Sequence, residues 1–120
     1  MSSSKDLHDN RRNYTRHELT EKQISPNPYE QFGWWLDDAI KDGVTEPNAM
    51  VLSTATADGK PSSRIVLLKA FDENGLVFYT NYHSRKGREI ETNPQASLLF
   101  FWDQLERQVR IEGTVEKIEA

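Results

Sequence analysis

The 120-residue chain contains no cysteine, which excludes disulfides, thiolate zinc sites and a cysteine nucleophile. Its three histidines, His8, His17 and His83, are scattered and offer no HxxxH-type spacing, so no metal is expected. A basic excess is also missing. Fifteen Lys and Arg stand against 19 Asp and Glu, a net charge of -4, which argues against a general nucleic-acid or membrane-surface binder. No apolar run approaches the roughly 20 residues of a membrane span, and the opening "MSSSKDLHDNRRNYTRHELTEKQ" is too polar for a secretory signal. The default expectation is a cytoplasmic protein that binds neither membrane nor nucleic acid. Internal repeats and low-complexity tracts are absent as well.

What is present suits one domain with one modest core, since a chain of this length removes roughly two-thirds of its unfolded surface from water on folding. Residues 1–25 are dense in charge and poor in apolar side chains, which predicts a flexible arm that is ordered only where it docks; residues 26–120 form the domain. In "NPYEQFGWWLDDAIKDG" the helix signals agree: Asn27 as cap, Pro28 at the first position, Glu30 at capping-box spacing and Gly43 to close the end. Phe32, Trp35, Leu36, Ala39 and Ile40 then share one face, a pattern that suits a core stripe better than a cofactor box.

From Ala49 the period changes to that of strands. "AMVLSTAT", the turn "ADGK", "SSRIVLLKAF", the turn "DENG" and "LVFYTN" predict two successive hairpins. "SRKGREIET" predicts a short helix capped by Ser84 and broken by "NPQ". "ASLLFFW" and "ERQVRIEGTVEKI" predict a third hairpin around "DQL". The expected fold is α+β and mainly antiparallel β, a meander curled into a small barrel with helices as plugs. No closing strand follows "TVEKIEA", so either a partner supplies the missing side or the sequence belongs to something longer.

Two cationic features invite a chemical reading. In "YTNYHSRKGRE", His83, Arg85, Lys86 and Arg88 fall within six positions. A helix capped at Ser84 would aim unpaired N–H groups and the positive end of its dipole outward, and an Arg fork beside a Lys point charge suits one phosphate group. The alternative is a solvated helix face whose charges pair with Glu89 and Glu91. In "RIVLLK", Arg64 and Lys69 bracket four apolar residues. Strict alternation sets Arg64, Val66 and Leu68 on one side and Ile65, Leu67 and Lys69 on the other, so both charges serve one ligand only through a bulge or around the strand end. The alternative is that each charge marks a strand end reaching water.

In this order and spacing, "RRNY", "AMVLSTATADGKPSSRIVLLKAFDENGLVFYTNYHSRKGREIETNPQASLLFFW" and "LERQVRIEGTVEKI" closely resemble the N-terminal half of the pyridoxamine 5'-phosphate oxidase family. The resemblance implies an FMN-binding split β-barrel, incomplete at its C-terminal end, that works as a homodimer in vitamin B6 metabolism. It implies oxidation of pyridoxamine or pyridoxine 5'-phosphate to pyridoxal 5'-phosphate, with O2 as acceptor and peroxide as by-product. The family's FMN contacts fall on Arg64, Ile65, Val66, Leu67, Leu68, Lys69, Tyr79, Thr80, Arg85, Lys86 and Gln108. Its substrate contacts fall on Lys69 and on the arm's Arg11, Arg12, Asn13 and Tyr14. No side chain is needed as nucleophile or acid/base, because the protein's task is to align substrate and flavin. Family members are longer, and their second half supplies the main substrate-phosphate residues and further flavin contacts; the 120 residues by themselves are therefore expected to show little activity. Two other readings stay open on the sequence: a non-catalytic flavin- or haem-binding split-barrel protein, and an interaction domain docking an acidic partner.

Overall fold

The computed structural model describes residues 24–80 and 85–118. Helix α1 (Pro28–Lys41) is followed by strands β1 (Ala49–Ala55), β2 (Pro61–Asp72) and β3 (Gly75–Phe78), helix α2 (Arg85–Thr92), and strands β4 (Gln95–Trp102) and β5 (Arg107–Thr114). No helix among the described residues is long and apolar enough to cross a membrane.

Local chemistry explains the ends of α1. The Asn27 side chain accepts from the N–H of Tyr29 at 2.9 Å, and Pro28 occupies the first turn, where a missing N–H costs nothing. Glu30 does not reach back to the Asn27 N–H as a simple capping box requires. Ser25 stands between them: its Oγ accepts from Asn27 N–H at 3.1 Å and donates to Glu30 at 3.0 Å. At the other end Gly43, at φ 76°, lets its N–H reach Ile40 O and the Val44 N–H reach Ala39 O, a Schellman closure. Phe32 and Ala39 are buried and Trp35 and Leu36 pack beside them, but Ile40 is 56% exposed. The buried seam follows the 32, 36, 39 line, and Ile40 is turned about 100° past it.

The strands form one antiparallel, curled sheet in the order β3-β2-β1-β4-β5. This corrects the simple meander in one step. After β3 the chain does not continue outward; α2 carries it back across the sheet so that β4 pairs with β1, Val51 facing Leu99. The turns follow their residue types: Gly59 sits at φ 95° in "ADGK", and Asp72 Oδ1 accepts from Asn74 N–H before Gly75. "DQL" is a 3-10 turn closed by Glu106 in the left-handed region.

The core fills the space between α1 and the inner sheet face. Phe32 is its hub, with ring centroids 4.9 Å from Phe71, 5.1 Å from Phe100 and 6.1 Å from Trp102. The Trp102 indole N–H donates to Pro47 O at 2.8 Å, so the buried ring leaves no donor unpaired. Arg107 fastens β5 to α1 by an ion pair with Asp38 at 3.1 Å and by stacking 4.7 Å above the Trp35 ring.

Candidate cofactor site

Strand β2 runs along the site, and its two faces differ. Val66 and Leu68 are buried in the core, while Ile65 is 63% and Leu67 41% exposed. Arg64 lies on the inner side with Val66 and Leu68, where its side chain is 22% exposed and the guanidinium meets four acceptors. Its Nη1 donates to Leu52 O at 3.2 Å and Thr54 Oγ1 at 2.8 Å; its Nη2 donates to Ser62 Oγ at 2.6 Å and faces Glu89 Oε2 at 3.5 Å. Glu89 belongs to α2 and is buried, with 4% of its side chain exposed. Thr54 and Ser62 donate to the same carboxylate oxygen, at 2.6 Å and 2.7 Å. Four polar side chains from β1, β2 and α2 thus satisfy one another beneath the helix. Removing one partner leaves a hydrogen-bonding group of this network unsatisfied, which typically costs about 1–3 kcal/mol.

This network fixes α2 against the sheet end that carries Arg64. The backbones of Arg85 and Lys86 open the helix, so the charged segment of the sequence begins one turn before Glu89. The side chains of Arg85 and Lys86 lie outside the described part, as do His83, Ser84 and the arm residues Arg11, Arg12, Asn13 and Tyr14.

Lys69 falls on a bulge, where the β2–β3 register shifts between Leu68 and Ala70. The bulge sets Lys69 and Ala70 outward in succession, so that Leu68 and Phe71 both turn inward. It does not bring Lys69 to the face of Arg64, so a ligand meeting both must pass around the strand. Asn48 clamps the approach: its carbonyl accepts from Leu68 N–H at 2.9 Å and its amide donates to Leu68 O at 3.2 Å. Lys69 Nζ stands 5.5 Å from the centre of the Tyr79 ring, and Lys69 borders an open depression with Leu36, Asn48, Leu68, Ala70 and Phe71. Tyr79 is 75% exposed. Beside it the Thr80 hydroxyl is buried and has no hydrogen-bond partner among the described residues, a state buried polar atoms seldom keep unless a ligand or water completes them.

Gln108 is on the outer face of β5, opposite Phe101, and two strands lie between it and β2. At roughly 4.8 Å per strand that is about 14 Å, so one chain does not bring Gln108 to Arg64. The outer face between them carries apolar side chains in register: the exposed Ile65 beside the half-buried Val51, Val51 beside the half-buried Leu99, and the 56% exposed Phe101 on β4.

The sequence reading missed Glu89, Thr54, Ser62 and Asn48 as parts of the site. One of the two readings of the cationic cluster sets Glu89 on a solvated face. The signal against that was its place beside Gly87 and Ile90, which with Glu89 make the buried side of α2.

The sequence profile of the family described as pyridoxamine 5'-phosphate oxidase matches residues 36–120. A pyridoxine/pyridoxamine 5'-phosphate oxidase from Rubrobacter xylanophilus is 61% identical over 110 residues, covering 92% of this chain and 51% of that protein. The chain thus spans about half the length of the curated relatives it matches. Among solved structures, PhzG from Burkholderia lata, in complex with tetrahydrophenazine-1-carboxylic acid, superposes with a TM-score of 0.80 at 36% identity, over 85% of this chain and 52% of that one. An FMN-binding, pyridoxamine 5'-phosphate oxidase-related protein from Nostoc punctiforme shares the fold at a TM-score of 0.63 and 22% identity, over 76% of this chain and 47% of that one. The curled antiparallel sheet is therefore the split-barrel half seen in these neighbours, and the chain belongs to the pyridoxamine 5'-phosphate oxidase family.

Proposed function

We propose that these residues form the FMN-phosphate side of an oxidase that converts pyridoxamine or pyridoxine 5'-phosphate to pyridoxal 5'-phosphate, with O2 as final acceptor. The observation that carries the reading is the Arg64–Glu89 link, which holds a β2 cation against α2, the helix that Arg85 and Lys86 open. Two or three cations and the first-turn N–H groups of α2 then share one phosphate, by the chemistry that favours anions at helix N-termini. The unpaired Thr80 hydroxyl fits a polar atom of the same nucleotide. When bound, FMN supplies the two-electron acceptor. The chain's own share is to hold the phosphate, to present Lys69 beside the ring and substrate, and to fix their distance. The arm that carries Arg11, Arg12, Asn13 and Tyr14 serves as a flap over the substrate.

A homodimer completes the site in this reading. The exposed apolar row of Ile65, Leu67 and Phe101 supports a second copy packed on the outer face, where Gln108 reaches the flavin held mainly by the other subunit. The test is light scattering with flavin absorbance on a sample loaded with FMN and then freed of excess. A dimer carrying FMN is expected. A monomer with stoichiometric FMN contradicts the shared site, and a colourless protein favours an interaction domain.

A further inference from the structure

Glu89 has a feature that a surface ion pair lacks: the direction of its bonds with Thr54 and Ser62 is forced. Arginine has only donors, so Arg64 Nη1 donates to Thr54 Oγ1 at 2.8 Å and Nη2 donates to Ser62 Oγ at 2.6 Å. Each hydroxyl has a single proton. Both protons therefore go to Glu89 Oε2, at 2.6 Å from Thr54 and 2.7 Å from Ser62. The chain of bonds runs one way, from guanidinium through hydroxyls to carboxylate. The direct Arg64–Glu89 approach is the longest of the set at 3.5 Å. An acceptor oxygen at position 89 is thus what the two hydroxyls demand.

Resting on the flavin-phosphate reading above, we propose that Glu89 is a positioning residue of the phosphate seat. Its acceptor oxygen holds α2 and Arg64 in register, so that the helix opening and the β2 cation meet the same phosphate. Glu89 itself is buried under the helix and does not touch the ligand. Without an acceptor there, the buried Thr54 hydroxyl and the partly buried Ser62 hydroxyl lose their partner and the helix loses its tie to β1 and β2. The phosphate contacts then drift apart, while contacts to the isoalloxazine ring, made elsewhere on the chain, remain.

The test compares FMN with riboflavin, which differ by the phosphate alone, in the full chain and three variants, by fluorescence titration. The wild-type chain is expected to prefer FMN. Glu89→Leu removes the acceptor and is expected to cut that preference at least about tenfold, with riboflavin affinity held. Glu89→Gln offers its amide oxygen to both hydroxyls and is expected to keep the preference within about threefold. Ser62→Ala, which removes one partly exposed hydroxyl, falls between them and replaces Glu89→Leu if that variant does not fold. A merely structural role would weaken both flavins together. An unchanged preference in Glu89→Leu, or in Ser62→Ala where the former is unfolded, overturns the proposal, as does a Glu89→Gln loss equal to that of Glu89→Leu. A wild-type chain with no preference for FMN over riboflavin sinks the phosphate seat itself, and that result is read before any variant is made.

Discussion

Phe100→Ala is expected to lower the unfolding free energy by about 3–5 kcal/mol, the usual cost of deleting a fully buried aromatic ring. Phe100 is 0% exposed and lies 5.1 Å from the Phe32 ring and 5.6 Å from that of Trp102. It joins α1 to the sheet beside the central strand β1, where a cavity cannot collapse without moving the helix. Small domains have only about 5–15 kcal/mol in total, so much of the margin goes. Phe101, the next residue, is the control. It is 56% exposed on the opposite face, and Phe101→Ala is expected to leave the stability of the single chain within about 0.5 kcal/mol while weakening the proposed dimer. Urea unfolding checks both, and similar losses for the two variants would show that the sheet faces are assigned wrongly.

Turnover is the second large expectation. A polypeptide of these 120 residues should oxidise pyridoxamine 5'-phosphate at least ~100-fold more slowly per bound flavin than the full-length Rubrobacter relative, of which the chain covers 51%. Arg64, Lys69 and α2 are within the chain, whereas the resemblance assigns the main substrate-phosphate residues to the relatives' other half. A substrate lacking that clamp loses its alignment over the flavin, and a displacement of about 1 Å already costs on the order of a hundredfold. Binding and catalysis should therefore separate. Steady-state peroxide production, normalised to bound FMN, measures it. Equal rates would mean that this chain assembles a full substrate site by itself.

Local chemistry made most of the secondary structure legible. Asn27, Pro28 and Gly43 mark α1, and Gly59 and Gly75 mark the hairpins, because caps and positive-φ turns depend on neighbours in sequence. The path of α2 was not legible. Whether the chain after β3 continues at the edge or crosses back depends on which strand accepts β4, and neither periodicity nor a turn residue states that. Ile40 misled for a related reason: helical spacing defines a stripe wider than the seam that α1 in fact buries.

The candidate site shows the same division. The cations Arg64 and Lys69 could be picked out as exceptions in an apolar strand, and a bulge was one of the two ways named for them to serve one ligand. The bulge exists at Lys69, yet it keeps the two on opposite faces. The inward role of Glu89 was not legible because its partners Thr54 and Ser62 lie 35 and 27 residues away. Polar residues of that kind become visible only when the strands are paired. Arg85 and Lys86 rest on the resemblance and on the chemistry of phosphate at a helix start, and their side chains lie outside the described part.

The most direct measurement of the central claim is the affinity of this chain for FMN with and without Arg85. Arg85→Ala removes one charged fork from the proposed phosphate seat and is expected to weaken FMN binding by about 1.5–3 kcal/mol, roughly 10- to 150-fold in Kd. Riboflavin binding should not change. An FMN affinity equal in the two proteins would contradict a phosphate seat at the start of α2.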